Sequence, residues 1–319
     1  MKRIGLVLGA GGLTGQAFHA GVLSALVEAT GWDPRGASVI AGTSAGAGVG
    51  AYLRLGLSAP DLAAMLGAGT MTPDGVGLLG RLGPSGDWST PVGPRNWPKP
   101  PHPRLVARAI TRPLKIRPEA VLGVTFPAGR VPTESWAGSL RALTGLSWPS
   151  ELLWICAVRT DDARRVVFGR DETPVTDVAT AVGASAAIPG YFQPVEIDGR
   201  QYVDGGVHSP TNADVLRRED LDLVLISSPM STSRNAPLLT LGQPMRRHFR
   251  LRLGQEVRRL RRRGIPVVVL QPSGADQAAM GGNAMDSERN AAVVRATRET
   301  TLRRLVHGRH AERLAMLAA

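Results

Sequence analysis

The chain of 319 residues is poor in several features that would have pointed to other classes of protein. It holds one cysteine, Cys156, which excludes an intramolecular disulfide framework and any cysteine-rich zinc site. Its six histidines are scattered, with no H-E-x-x-H or comparable spacing, so no metal site is expected. Aromatic residues make up 4% and do not interleave with the basic clusters, which leaves nucleic acid a disfavoured partner. Long apolar runs are also missing. Ile4 to Val27 carries no formal charge and follows Lys2 and Arg3, as in a signal peptide or membrane helix. Glycines at 9, 11, 12 and 15 interrupt it, and a short buried strand, a glycine loop and a helix fit better. A cytoplasmic or peripheral membrane location is the corresponding expectation.

What is present points to a packed domain. Apolar residues are 43% of the chain and glycines number 38, too many of both for intrinsic disorder. Basic residues exceed acidic ones by 12, and all but three of the 38 basic residues are arginine. The densest cluster is Arg246 to Arg263, nine arginines with a single acid, Glu256. Phe249, Leu251, Leu253, Val257 and Leu260 recur there at mostly helical spacing, which predicts a solvated helix packed on an apolar stripe. The same run is a candidate for peripheral contact with anionic membranes.

Strands are expected at Arg3–Leu8 and Ser38–Ala41, each followed by a turn and a helix, as in a parallel sheet buried on both faces. Leu152–Val158 and Arg165–Phe168 read as an antiparallel pair, Val175–Ala184 as a helix, and Leu223–Ser227 and Pro266–Leu270 as further buried strands. A last helix is predicted over Ser287–His310. Between Thr70 and Ser135 lie half of the 24 prolines, which predicts a long irregular insertion, either a lid or a tethered loop. Trp88, Trp97 and Trp136 are candidates to anchor it or to touch an apolar ligand.

Three short motifs carry chemistry. Gly42-Thr43-Ser44-Ala45-Gly46 matches G-x-S-x-G, in which a serine on a tight strand-to-helix turn needs small residues two positions to either side. Gly11-Gly12-Leu13-Thr14-Gly15 follows the first strand, and its consecutive glycines let backbone amides approach a ligand oxygen. A dinucleotide loop is the rival reading, but Thr14 stands where G-x-G-x-x-G needs its last glycine, and no acid ends the second strand. The third motif is Asp204-Gly205-Gly206, after a short strand.

Together, and in this order, the motifs resemble those of the patatin-like phospholipases, as does Ala184-Ser185-Ala186-Ala187-Ile188-Pro189 before the aspartate. The resemblance covers residues 1–70 and 150–230 well and extends more weakly to about 275. It implies an α/β fold, a three-layer α/β/α arrangement with a mostly parallel central sheet. It further implies a serine acyl hydrolase, phospholipase A-like or lysophospholipase-like, that cleaves lipid esters through a Ser44–Asp204 dyad and an acyl-enzyme. Amides of Gly11, Gly12, Leu13 and Ala45 would form the oxyanion hole, with Gly15, Gly42, Gly46, Gly205 and Gly206 as motif glycines. No metal or organic cofactor is required. The usual loop is G-G-G-x-R/K-G; here Ala10 and Thr14 depart from it, which preserves backbone donors but removes a basic side chain. The expected organisation is a catalytic domain over 1–275, including the insertion at about 70–135, and a helical extension over 276–319 packed on it.

Two alternatives remain. An α/β-hydrolase triad would need a histidine base, and His208, His248, His307 and His310 are available, but an elbow at position 44 comes too early for that fold. A non-enzymatic membrane-surface protein would use the basic helix and leave the three motifs idle.

Overall fold

A computed structural model of the chain describes residues 2–82, 93, 100–112, 116–145, 147–171, 175–232, 243–307 and 317. Trp88, Trp97, His310 and the side chains of Trp136 and His307 lie outside the described residues. Among the described residues, eight strands form one sheet. They are β1 (Ile4–Leu8), β2 (Val39–Gly42), β3 (Leu152–Arg159), β4 (Arg164–Phe168), β5 (Val195–Ile197), β6 (Arg200–Asp204), β7 (Leu223–Ser227) and β8 (Val267–Leu270). The order is β5-β6-β3-β2-β1-β7-β8, with β4 also paired to β3. The five strands from β3 to β8 in that order are mutually parallel, and β4, β5 and β6 are antiparallel additions.

Alternation along the strands builds the layers. Leu6, Leu8, Ile40, Leu153 and Ile155 face the larger core. Over it pack α1 (Gly12–Thr30), α2 (Ala45–Arg54), α8 (Val178–Ala186) and α11 (Asn290–His307). Val7, Val39, Ala41, Cys156 and Ile226 face the other side, covered by α9 (Gln243–Arg261) and a 3-10 turn over Ala213–Arg218. The result is the three-layer α/β/α architecture expected from the sequence, with a mostly parallel sheet.

The proline-rich stretch is less irregular than expected. Its described parts form α4 (Pro73–Leu79), α5 (Pro103–Thr111) and α6 (Pro118–Thr125), followed by α7 (Glu134–Thr144). Pro73, Pro103 and Pro118 each open a helix, where the missing N–H costs nothing and the fixed φ is already helical. Prolines that read as breakers are therefore helix starts. Two further short helices, α3 (Ala59–Met65) and α10 (Gly274–Met280), were also not foreseen. The glycine motif differs from the expected loop as well, since α1 already begins at Gly12.

The arginine-rich segment is a helix that packs through Leu253, Val257 and Leu260, whereas Leu251 is 63% exposed. Helix α11 runs against α1 so closely that a Cβ on Gly21 would lie 2.7 Å from the Val294 carbonyl oxygen and 2.9 Å from Thr297 Cβ. Gly21→Val should therefore force the two helices apart and lower unfolding free energy by about 1–3 kcal/mol, read as a lower urea midpoint.

Candidate active site

Three chain segments converge at the carboxyl ends of the central strands, the usual place for a site in an open parallel sheet. The convergence depends on β3, which is longer than its neighbours. Its first half pairs with β2, ending with Gly42 opposite Ile155. Its second half pairs with the antiparallel β6, which ends with Asp204 opposite Ala157. The chain leaving β2 and the chain leaving β6 therefore meet over Cys156.

Ser44 lies two residues past the end of β2 and takes φ 54° and ψ −119°, a left-handed conformation that is rare outside glycine. That bend turns the chain straight into α2. A Cβ on Gly46 would stand 2.0 Å from the Leu8 carbonyl oxygen, and one on Gly42 would meet Ala47 Cα at 2.6 Å, so the tight turn excludes side chains at both positions. The Ser44 amide donates to Ser185 Oγ at 2.9 Å, and Ser185 Oγ donates to the Cys156 carbonyl at 2.7 Å. Ser185 on α8 thus ties the elbow to β3.

The Ser44 side chain lies close enough to the Asp204 carboxylate to lower its proton affinity. Both residues are buried, at 3% and 5% exposure. Burial raises the Asp204 pKa to about 6, against the opposing effects of the Ser44 side chain and of the Gly206 amide, which donates to the carboxylate at 2.6 Å. The Asp204 amide donates to the Ala187 carbonyl at 3.0 Å. Gly205 passes so near the Cys156 carbonyl that a Cβ there would approach it to 2.2 Å.

The glycine segment lies beside Ser44. Gly12, Leu13 and Ala45 line the same cavity as Ser44, a cleft of about 170 Å³ with Tyr52, Ile188, Phe192 and Met285 in its walls. Gly11 is the residue before α1 and packs on Pro229, outside that lining. The amides of Gly12, Leu13 and Ala45 belong to first helical turns, where a helix leaves N–H groups without internal partners. Thr14 and Gly15 are committed elsewhere, their amides donating to Ala284 and Gly11 carbonyls at 3.1 and 2.9 Å. Thr14, at the usual basic position, is itself buried.

Several supporting residues escaped the sequence reading. Asn212, in the left-handed conformation, donates from Nδ2 to Thr43 Oγ1 (3.2 Å), the Gly205 carbonyl (3.2 Å) and the Ser209 carbonyl (2.6 Å). It bridges the residue before Ser44 to the residue after Asp204. Glu256 of α9 holds that loop, accepting from Thr211 Oγ1 at 2.6 Å and from the Ala213 amide at 2.9 Å. Burial keeps its proton affinity raised. As the lone acid among nine arginines it carried a signal that could have been read. His19, fully buried, donates from Nε2 to the Gly9 carbonyl and accepts at Nδ1 from Ser227 Oγ, each at 2.7 Å. Burial lowers its pKa to about 4, so it stays neutral and pins β1 to β7 beneath the glycine segment.

The histidines considered for a triad are placed differently. His208 follows Asp204 closely, but burial and the Arg165 and Arg117 guanidinium groups hold it far below the usual histidine range. His248 faces Glu119 at 2.9 Å. Among the described residues, those that could hold a metal ion do not cluster.

The family model for patatin-like phospholipases matches residues 6–217. NTE family proteins of Mycobacterium bovis and Mycobacterium tuberculosis are 31% identical over 228 residues, 71% of this chain and 49% of theirs. The chain thus spans about half the length of these curated relatives. The solved structure of VipD from Legionella pneumophila aligns with 96% of this chain and 67% of its own, at 16% identity and a TM-score of 0.43. The matched span includes both Ser44 and Asp204, and the chain belongs to the patatin-like phospholipase family.

Proposed function

We propose that this protein is a serine acyl hydrolase that cleaves carboxylic esters of lipids through a Ser44–Asp204 dyad. The observation that carries the reading is the strained Ser44 beside a buried carboxylate, Asp204, whose pKa is raised to about 6. An ordinary carboxylate is too weak a base for a serine hydroxyl, and burial corrects that in the required direction. Ser44 Oγ attacks the ester carbonyl while its proton passes to Asp204. The oxyanion accepts hydrogen bonds from the amides of Gly12, Leu13 and Ala45, and Gly11 contributes by shaping the turn. Collapse of the tetrahedral species expels the alcohol, which takes the proton from Asp204. Water then attacks the acyl-enzyme by the same route, returning a carboxylic acid and the free serine.

The dyad is favoured over a Ser-His-Asp triad because the Ser44 side chain acts on Asp204 and His208 is held neutral. The family description favours phospholipid or lysophospholipid esters as the substrate class. The reading of a non-enzymatic membrane binder leaves the strained serine and the buried carboxylate without a use.

A contact with anionic membranes is a compatible second proposal, carried by the outer face of α9. Arg247, Leu251 and Arg258 are all exposed and recur at helical spacing along one stripe, and exposed Arg262 follows just past the helix end. Arg246, Arg252 and Arg259 are engaged internally, with the Pro229 carbonyl, Glu119 and Asp214. The described residues include no helix long and apolar enough to cross a membrane.

A fluorophosphonate probe should form one adduct, on Ser44, in the wild-type protein and none in Ser44→Ala, as read by peptide mass spectrometry. An unlabelled, folded wild-type protein would remove the nucleophile from the scheme. The pH profile of kcat/KM should rise through about pH 6 and stay level above it, because the base must be ionised. Asp204→Asn should abolish turnover yet resist urea better at neutral pH. A pKa raised on folding means that the native state binds the proton more tightly, so ionising Asp204 destabilises the fold as pH rises. Relief of that penalty is expected to be about 1–3 kcal/mol at neutral pH and to vanish where the carboxyl is protonated in both states. Sedimentation with vesicles should show binding to anionic but not zwitterionic lipid, weakened by salt and by Arg258→Glu with Arg262→Glu.

A further inference from the structure

The cleft at Ser44 has a neighbour. A second cavity, of about 370 Å³, lies on the other side of the turn Ile188–Phe192 and is walled by Leu105, Phe126, Pro189 and Val203 among others. Val203 is the residue before Asp204, so the second cavity adjoins the strand that carries the acid. Phe192 is the residue that the linings of both cavities share, with Ile188 on the inner side and Pro189 on the outer.

The Phe192 ring is held firmly enough to act as a wall. It is 3% exposed and packs against Tyr191 with ring centroids 4.7 Å apart. Its amide donates to the Ile188 carbonyl at 2.9 Å, and its own carbonyl accepts from the Gly129 amide at 3.0 Å. Tyr191 and Gln193 are bonded to Val131 on either side, through the Val131 amide at 3.2 Å and the Val131 carbonyl at 2.8 Å. Backbone bonds to the 129–131 segment thus fix the position from which the ring projects.

Volume decides what each side can hold. An apolar protein cavity of about 150 Å³ accommodates a benzene molecule, a six-carbon ligand. At about 170 Å³ the inner cleft takes an acyl chain of similar size, and the outer cavity has roughly twice that capacity.

We infer that Phe192 sets acyl-chain length. It closes the inner cleft so that only about the first six carbons of the acyl group of a lipid ester are buried beside Ser44. The outer cavity is a chamber for the remainder of a longer chain, shut off by this one ring. The inference rests on the proposed esterase reading and narrows it to esters whose acyl group is short, or whose acyl chain gains nothing beyond its first six carbons or so. A buried methylene changes binding by about fourfold and an unburied one by nothing, so the chain-length profile reports directly where the wall stands.

The test is a series of p-nitrophenyl esters from acetate to hexadecanoate, with kcat/KM measured for the full chain, Phe192→Ala and Phe192→Leu. The ratio of dodecanoate to hexanoate within each protein is independent of the active fraction. In the wild-type protein kcat/KM should climb to hexanoate and then level off. In Phe192→Ala the dodecanoate-to-hexanoate ratio should increase about tenfold or more, with Phe192→Leu between the two. Refilling the outer cavity with Ala128→Leu in the Phe192→Ala background should bring the ratio back down. If Phe192→Ala does not fold, as judged by its thermal melt, Phe192→Leu carries the comparison. An unbroken rise to hexadecanoate in the wild-type protein, or an unchanged ratio in a folded Phe192 variant, would overturn the inference while fluorophosphonate labelling of Ser44 left the esterase reading in place. Absence of both labelling and ester cleavage in the wild-type protein would overturn the esterase reading, and the inference with it.

Discussion

Three consecutive residues of β3, Ile155, Cys156 and Ala157, hold together the parts on which the proposed chemistry depends. On one side of this short stretch the parallel β2 ends opposite Ile155, and two residues further on the antiparallel β6 ends opposite Ala157. Strands running in opposite senses thus deliver Ser44 and Asp204 to a single point. Between them the Cys156 carbonyl accepts from Ser185, whose oxygen in turn accepts from the Ser44 amide. The same carbonyl leaves room for nothing larger than glycine at position 205. A shift of register along β3 would separate the hydroxyl from the carboxylate, because each is fixed to the strand through its own ladder.

Around that junction the structure spends buried polar groups where apolar ones would have packed more simply. Asn212 spans from Thr43 to Gly205, and Glu256 reaches across from α9 to hold the loop that carries Asn212. Arg165 and Arg259 neutralise Asp214 next to it, at 2.6 and 3.2 Å. Hydrogen bonds of this kind between distant segments favour one arrangement of the chain. Here they brace the two turns that bear the dyad. The arginine-rich helix accordingly has two faces with different tasks. Its inner face, with Glu256 among Leu253, Val257 and Leu260, supports the site, and its outer face presents arginines.

Burial does two further things at the site. It raises the proton affinity of Asp204 toward the range where a carboxylate can accept a proton from serine, and it keeps His19 neutral so that the ring can bridge Gly9 and Ser227. Both effects come from removal of water, and both require the helices of one layer to close over the carboxyl ends of the strands. Phe192 lines both of two cavities of unequal size on that side.

Much of this was legible in the sequence. Short apolar runs bounded by glycine marked the parallel strands, since strands buried on both faces need no polar alternation. Gly42 and Gly46 were legible because a tight elbow excludes a Cβ, a requirement local to the turn. Ser44 and Asp204 could be named from their motifs, though not the register of β3 that brings them together. The proline-rich stretch misled, because proline opens a helix as readily as it ends one, and the residues on its carboxyl side decide between the two. The roles of Ser185, Asn212 and Glu256 were not legible, since the elements that they join lie up to 169 residues apart. The sequence by itself determined the layers, the elbow and which residues are candidates for the chemistry, through periodicity, motifs and steric demands that act over a few residues. Only the tertiary structure decided that Ser44 and Asp204 come together, how strongly that carboxylate holds a proton, and where the cavity ends, because register, dielectric and volume are set by segments distant along the chain.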